Sequence, residues 1–147
     1  MVFQNAGIAA GSVLIASSLA LNTKRKADFI PFLIFLISGI LLDSVLSMTG
    51  IFEFPGNQLI PLWLLTLWTA FALVMPRGFG FLYSLPVILQ SLIGSFAGII
   101  AYAAGHALAA VDYPHGLVIS LLVIGACWSL YLPLMLFITA HFRLKTV

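Results

Sequence analysis

Four side chains in this sequence could do chemistry from an otherwise apolar setting: Asp43, Tyr102, His106 and Glu53. Asp43 interrupts the apolar run 29–48, about five residues from its end. At 1.5 Å per residue that is roughly 7 Å of depth. A charged side chain at the centre of a membrane helix costs about 2.5–3.5 kcal/mol on insertion scales and less near the interface, so an acid there is expected to be partnered or functional. His106 lies at a similar distance from the end of its own apolar run, so the two share a depth. Imidazole is the side chain suited to proton exchange near neutrality, which makes Asp43 and His106 a candidate intramembrane polar pair. Tyr102, one turn before His106, adds a hydroxyl to the same layer, and Glu53 is a further accessory candidate. The plainer alternatives are an Asp43 hydrogen-bonded to Ser44, Ser47 or a neighbouring helix, and a His106 that satisfies a nearby carbonyl.

Other chemistries lack their residues. The sequence holds no Walker loop, CxxC, HExxH or dinucleotide-binding glycine pattern. The three histidines stand in unrelated contexts, Ala-Gly-His106, Pro-His115-Gly and Ala-His141-Phe, with no i, i+4 pair. No metal site and no cofactor are expected. The single cysteine, Cys127, excludes an internal disulfide. Serines and threonines are plentiful, but no arrangement singles out a nucleophile, so a non-enzymatic role is favoured.

The elements that must position these groups follow from composition. The 147 residues are 63% apolar and 7% charged, with a mean hydropathy of +1.19. A soluble domain carries about 25% charged residues to solvate its surface. Ten charged side chains cannot cover a fold of this size, so lipid must cover it. Five apolar runs approach the roughly 20 residues needed to cross a bilayer, at about 3–21, 29–48, 59–75, 81–110 and 117–140. The first has no basic n-region, which argues against a cleavable signal peptide. Turn chemistry separates the others, with Pro55-Gly56 in 49–58, Pro76-Arg77-Gly78 in the next gap and Asp112 to Gly116 in the last. Pro61 falls in the first turn of the third run, where a missing N–H costs little. Runs such as Phe32-Leu33-Ile34-Phe35-Leu36-Ile37 are apolar on both faces, which excludes a transmembrane barrel. The expected fold is therefore all-α: a polytopic transmembrane helical bundle of about five helices, one domain over 1–147.

Orientation comes from an independent signal. With five spans, Lys24, Arg25 and Lys26 fall in the first loop, Arg77 in the third, and Arg143 and Lys145 in the tail. All six basic residues then share one side, which the positive-inside rule makes cytoplasmic. The N-terminus, Glu53, Asp112 and His115 are expected outside and the C-terminus inside. Topology alone accounts for these bases, though Arg77, His141, Arg143 and Lys145 could also meet lipid phosphate.

Two packing signals remain. Ser91, Gly94, Gly98, Ala101, Gly105 and Ala109 recur every three or four residues along 81–110. A stripe of small residues lets helix backbones approach closely in lipid, so this helix is expected at the centre of the bundle or at a dimer contact. Trp63 suits an interfacial belt. Trp68 and Trp128 fall deeper, where an indole N–H seeks a partner.

The segments Gly39-Ile-Leu-Leu-Asp43-Ser-Val-Leu, Gly50-Ile-Phe, Pro61-Leu-Trp63-Leu-Leu-Thr-Leu-Trp68 and Leu92-Ile-Gly94-Ser-Phe-Ala-Gly98-Ile-Ile-Ala-Tyr102-Ala-Ala-Gly105 together resemble a bacterial family of small inner-membrane proteins, the domain of unknown function 2878. The resemblance runs from Phe3-Gln4 to Trp128 and Pro133, and Leu-Leu-Asp43 and Pro-Leu-Trp63 are its most specific parts. This chain departs from the family pattern at Ile99, where Gly-Pro is usual, and at Ala109-Ala110, where Gly-Ala is usual. The resemblance implies a proteobacterial inner membrane and no particular activity. Its members' association with genes for fatty-acid-modifying enzymes points to lipid-related partners.

The functional expectation is a non-enzymatic multi-pass bundle in the bacterial inner membrane. It would act with membrane lipid and with other membrane proteins or a second copy in envelope lipid maintenance, without nucleic acid. The alternatives are a small proton-coupled carrier using Asp43 and His106, and a lipid-modifying enzyme with an outward site built from Asp43, His106 and Tyr102.

Overall fold

The computed structural model describes Ser12, residues 29–56 and residues 58–144. The expected span at 3–21 and the bases Lys24, Arg25 and Lys26 lie outside the described residues. Within them the fold is all-helical: α1 (Phe29–Met48), α2 (Leu62–Gly78), a short 3-10 turn (Gly80–Ser84), α3 (Val87–Ala107) and α4 (Leu117–Leu144). Among the described residues three stretches are long and apolar enough to cross a membrane: Phe29–Met48, Val87–Ala107 and Leu117–Phe142. Leu62–Met75 is a shorter apolar helix. Large apolar side chains along these helices, among them Leu41, Ile88, Phe96, Ile100, Leu130 and Phe137, are each more than half exposed. Water would not tolerate such continuous apolar faces, and a bilayer does. The protein is a helical membrane protein.

Two helices begin or end elsewhere than the sequence suggests. The run 81–110 is not one helix. Proline disfavours helical backbone at the residue before it, and Leu85 is extended at ψ 149°. Pro86 then serves as the N-cap of α3. At the other end α3 stops at Ala107 because Ala109 turns into the left-handed region at φ 52°. The amides of Ala109 and Ala110 reach back to the carbonyls of His106 and Gly105, the Schellman closure that glycine usually makes. Likewise α2 starts at Leu62 rather than at 59, with Pro61 before the helix and its carbonyl accepting from Leu64 and Leu65.

Packing is uneven around the bundle. α3 lies along α4, and α1 lies along α2 and also touches α4, whereas α2 and α3 meet only sparsely. Close approach of α3 to α4 depends on two members of the small-residue stripe. A Cβ at Gly94 would run into the Trp128 carbonyl, and one at Gly98 into the Trp128 ring. Gly39 plays the same part between α1 and α2, where the Trp68 ring occupies the place of a side chain. The rest of the stripe does not share that contact. Ala101 is exposed, Gly105 has only Val111 nearby, and Ala109 lies beyond the helix.

The resulting core is aromatic. Trp68 and Trp128 stack at 5.8 Å and 11°. Phe71 meets Trp68 edge-on at 5.6 Å, and Tyr131 meets Trp128 at 5.4 Å. One end of the bundle is closed by its two longer loops. Glu53 and Asp112 exchange both backbone hydrogen bonds at 2.9 Å. This isolated antiparallel bridge buries Phe52 and Phe54 on either side of Glu53. Ser120 adds a hydrogen bond to the Ile51 carbonyl at 2.6 Å.

Candidate functional site

Asp43 is the centre of the site. It lies on the face of α1 that also buries Phe35, Gly39 and Leu46, and only 1% of it is exposed. The spacing from Gly39 is one helical turn, so the Trp68 indole that packs over Gly39 brings its N–H up to the carboxyl. Trp68 Nε1 donates to Asp43 Oδ2 at 2.7 Å. From α3, the Tyr102 hydroxyl donates to Oδ1. Each carboxyl oxygen thus has a donor, and both donors are neutral. Hydrogen bonds to an ionised acceptor are about twice as strong as neutral ones.

Tyr102 is itself held in place. Its backbone carbonyl accepts from the Tyr113 hydroxyl at 2.8 Å, and its ring packs on Phe52 at 5.4 Å. Burial pushes the Tyr113 hydroxyl, in the loop after α3, up to about 12, so it remains a neutral donor. Trp128 stacks on Trp68 with its Nε1 buried beside the Tyr102 hydroxyl.

His106 is not part of this arrangement. Its Nδ1 pairs with the Val111 carbonyl at 3.1 Å, and its ring packs on Tyr113 at 5.1 Å. The expected Asp43–His106 pair is therefore replaced by Asp43 with Tyr102 and Trp68. Shared depth put the two residues at one level, but depth says nothing about which face of each helix they occupy. Glu53 also stays apart: its backbone forms the loop bridge and its side chain is exposed. Trp68 is the participant that the sequence reading left as packing. Its signal was present, because a deep indole and a deep acid each required a partner.

A cavity of about 490 Å³ lies beside this cluster, lined chiefly by α2 and α3. Asp43, Tyr102, Trp68 and Trp128 line it, together with Trp63, Phe54, Phe71 and Phe79 and the small residues Ala97, Ala101 and Gly105. Its volume is in the range of small-molecule sites, which are mostly apolar with a few placed polar groups. No group of three or more His, Cys, Asp or Glu suited to a metal ion occurs among the described residues.

The sequence profile of one family, described as protein of unknown function (DUF2878), matches residues 2–134. That span includes every residue of the Asp43 cluster and its cavity. The chain belongs to the DUF2878 family. No curated protein and no solved structure matches it. The family description states no activity, so function must be argued from the site. The aromatic cavity and its acid lie wholly within the part of the chain that defines DUF2878.

Proposed function

We propose that this DUF2878 protein is a non-enzymatic, multi-pass protein of the bacterial inner membrane that binds a lipophilic small molecule in the cavity between α2 and α3. The observation that carries this reading is the cavity itself: about 490 Å³, aromatic and apolar, with one fully hydrogen-bonded acid at its wall. Ala97 and Ala101 of α3 line the cavity and are exposed, which supports entry of an apolar molecule from the bilayer. Five spans, with the N-terminus outside and the C-terminus cytoplasmic, remain the topology that the basic residues support. Membrane lipid, other membrane proteins or a second copy are the partners that suit such a bundle, and envelope lipid maintenance is the setting. The carrier and enzyme alternatives both relied on Asp43 and His106 in one site. The His106 Nδ1 pairs with the Val111 carbonyl and the partners of Asp43 are Tyr102 and Trp68, which supports the binding reading over these two.

The test uses the chain's own fluorescence. All three tryptophans line the cavity. A neutral lipophilic fluorophore, N-phenyl-1-naphthylamine, titrated into purified protein in non-ionic detergent should accept their excitation energy saturably. Ala101→Phe, which fills the cavity, should weaken that saturable signal. Linear, unsaturable transfer, identical in the two proteins, would mean simple partition into detergent and would end the reading.

A further inference from the structure

The chemistry of the cavity wall narrows the class of ligand, provided that the cavity is a binding site at all. Both side chains that donate to Asp43, Trp68 and Tyr102, are neutral. Arg77 stands nine residues after Trp68 on α2, roughly 14 Å along the axis. Arg143 is 15 residues beyond Trp128 on α4, roughly 22 Å. His106 is occupied by the Val111 carbonyl. An acid within a membrane helix ordinarily pairs with a cation or faces a ligand path. Among the described residues Asp43 pairs with no cation, and its partners are Trp68 and Tyr102.

What surrounds the acid is a set of rings. Trp63, Trp68, Trp128, Tyr102, Phe54 and Phe71 all line the cavity. Ring faces carry partial negative charge and attract organic cations, Trp most strongly. Two of these rings donate their N–H or O–H to the Asp43 carboxyl. Donation to a carboxylate pushes electron density back into the indole and phenol rings and strengthens their attraction for a cation, a polarisation of the kind that linked hydrogen bonds produce. Trp128 offers the cavity a ring rather than a donor, because its Nε1 is enclosed.

The alternatives fit less well. A bare metal ion needs several oxygen or nitrogen ligands, and the wall supplies one carboxyl already engaged by two donors. A fatty-acid carboxylate or other anion would meet the Asp43 carboxyl at close range and be repelled by it. A neutral lipid chain would fill the space without using the acid.

We propose that the cavity binds a lipophilic organic cation, an amine or quaternary onium group carried on an apolar body. This rests on the cavity-binding reading and goes beyond it by assigning the charge of the ligand. Asp43 supplies the countercharge, and the tryptophans and Tyr102 supply the faces.

The experiment is a displacement titration against bound N-phenyl-1-naphthylamine on the wild-type protein in non-ionic detergent. It uses tetraphenylphosphonium and tetraphenylborate, which share size and shape and differ in charge. The phosphonium should displace the probe at roughly tenfold lower concentration than the borate, the scale of cation–ring attraction in a desolvated site. In Asp43→Asn the preference for the phosphonium over the borate should disappear. Equal displacement by the two ions, or a preference for the borate, overturns the cation assignment and leaves the cavity reading standing. Failure of the neutral probe to bind wild-type protein saturably overturns the cavity reading itself, and the cation assignment with it. If Asp43→Asn loses the probe because its fold is damaged, the wild-type comparison of the two ions decides alone.

Discussion

At the scale of single residues, the energetics of the Asp43 cluster follow from what its oxygens would do if left alone. A buried acceptor deprived of its donor keeps its full desolvation cost, about 1–3 kcal/mol and more when charged. Trp68→Phe keeps most of the ring and removes the N–H that reaches Oδ2 at 2.7 Å. It is expected to lower stability by about 1–3 kcal/mol, read as a drop in unfolding temperature of the purified protein. Tyr102→Phe should do the same through Oδ1. The double variant should cost less than the sum if Asp43 relaxes once both donors are gone, since neighbours within one network do not add. Strict additivity would show that the two donors act on the carboxyl independently. The acid and the tyrosine were visible in the sequence as deep polar groups. Their meeting was not, because the contact depends on the rotation of α1 and α3 about their own axes.

At the scale of the helix, glycine carries two meanings on α3 that the small-residue stripe could not separate. Gly94 and Gly98 sit against Trp128, and an added Cβ there must push α3 away from α4. Gly94→Ala or Gly98→Ala is expected to destabilise the protein by about 1–3 kcal/mol, the usual cost of overpacking. At Gly105 the nearest atom to an added Cβ is Val111 Cγ2 at 3.5 Å, an ordinary contact. Gly105→Ala should therefore be neutral or stabilising, up to about 1 kcal/mol from helix propensity. A thermal-unfolding series in one detergent separates the two cases, and equal losses at all three positions would contradict this account of the α3–α4 contact. The end of α3 makes a related point. Ala109 adopts a left-handed turn at φ 52° that suits glycine better. The Gly-Ala that the family resemblance led us to expect at Ala109-Ala110 matches that backbone requirement.

For the whole molecule, topology is the property most open to direct measurement. In a Cys127→Ala background, single cysteines at Glu53 and Arg77 should differ in intact cells. The first is expected to react with a membrane-impermeant thiol reagent and the second to be protected. Reaction at Arg77 and protection at Glu53 would invert the orientation that the basic residues support. A third cysteine, replacing Ala101 at the cavity, should stay unreactive towards the aqueous reagent and react with a lipid-soluble one, as a laterally open apolar cavity requires. The loop bridge between Glu53 and Asp112 closes the end of the bundle beside Phe52 and Phe54, which favours lateral over axial entry.

The sequence by itself determined the solvent and the element type. So few charges cannot clothe a folded surface in water, and continuous apolar runs can satisfy their backbone in lipid only as helices. It also marked the turns at Pro55-Gly56 and Asp112–Gly116 to within a few residues, because proline and glycine act locally. Pro86, by contrast, divides a run read as one helix, and the Pro76-Arg77-Gly78 expected between spans lies inside α2. The Phe52-Glu53-Phe54 alternation, a period-two signal inside a segment read as turn, was legible but too short to predict a bridge to Asp112. Only the tertiary structure decided which polar groups meet. Asp43, Tyr102 and His106 share a level, and the level follows from counting residues along each helix. Whether two side chains then face each other depends on helix rotation and crossing. Those are set by where Gly39, Gly94 and Gly98 admit a tryptophan ring or a neighbouring backbone. That packing turns Tyr102 and Trp68 towards Asp43 and leaves His106 with Val111. It also forms, chiefly between α2 and α3, a cavity that no stretch of sequence contains on its own.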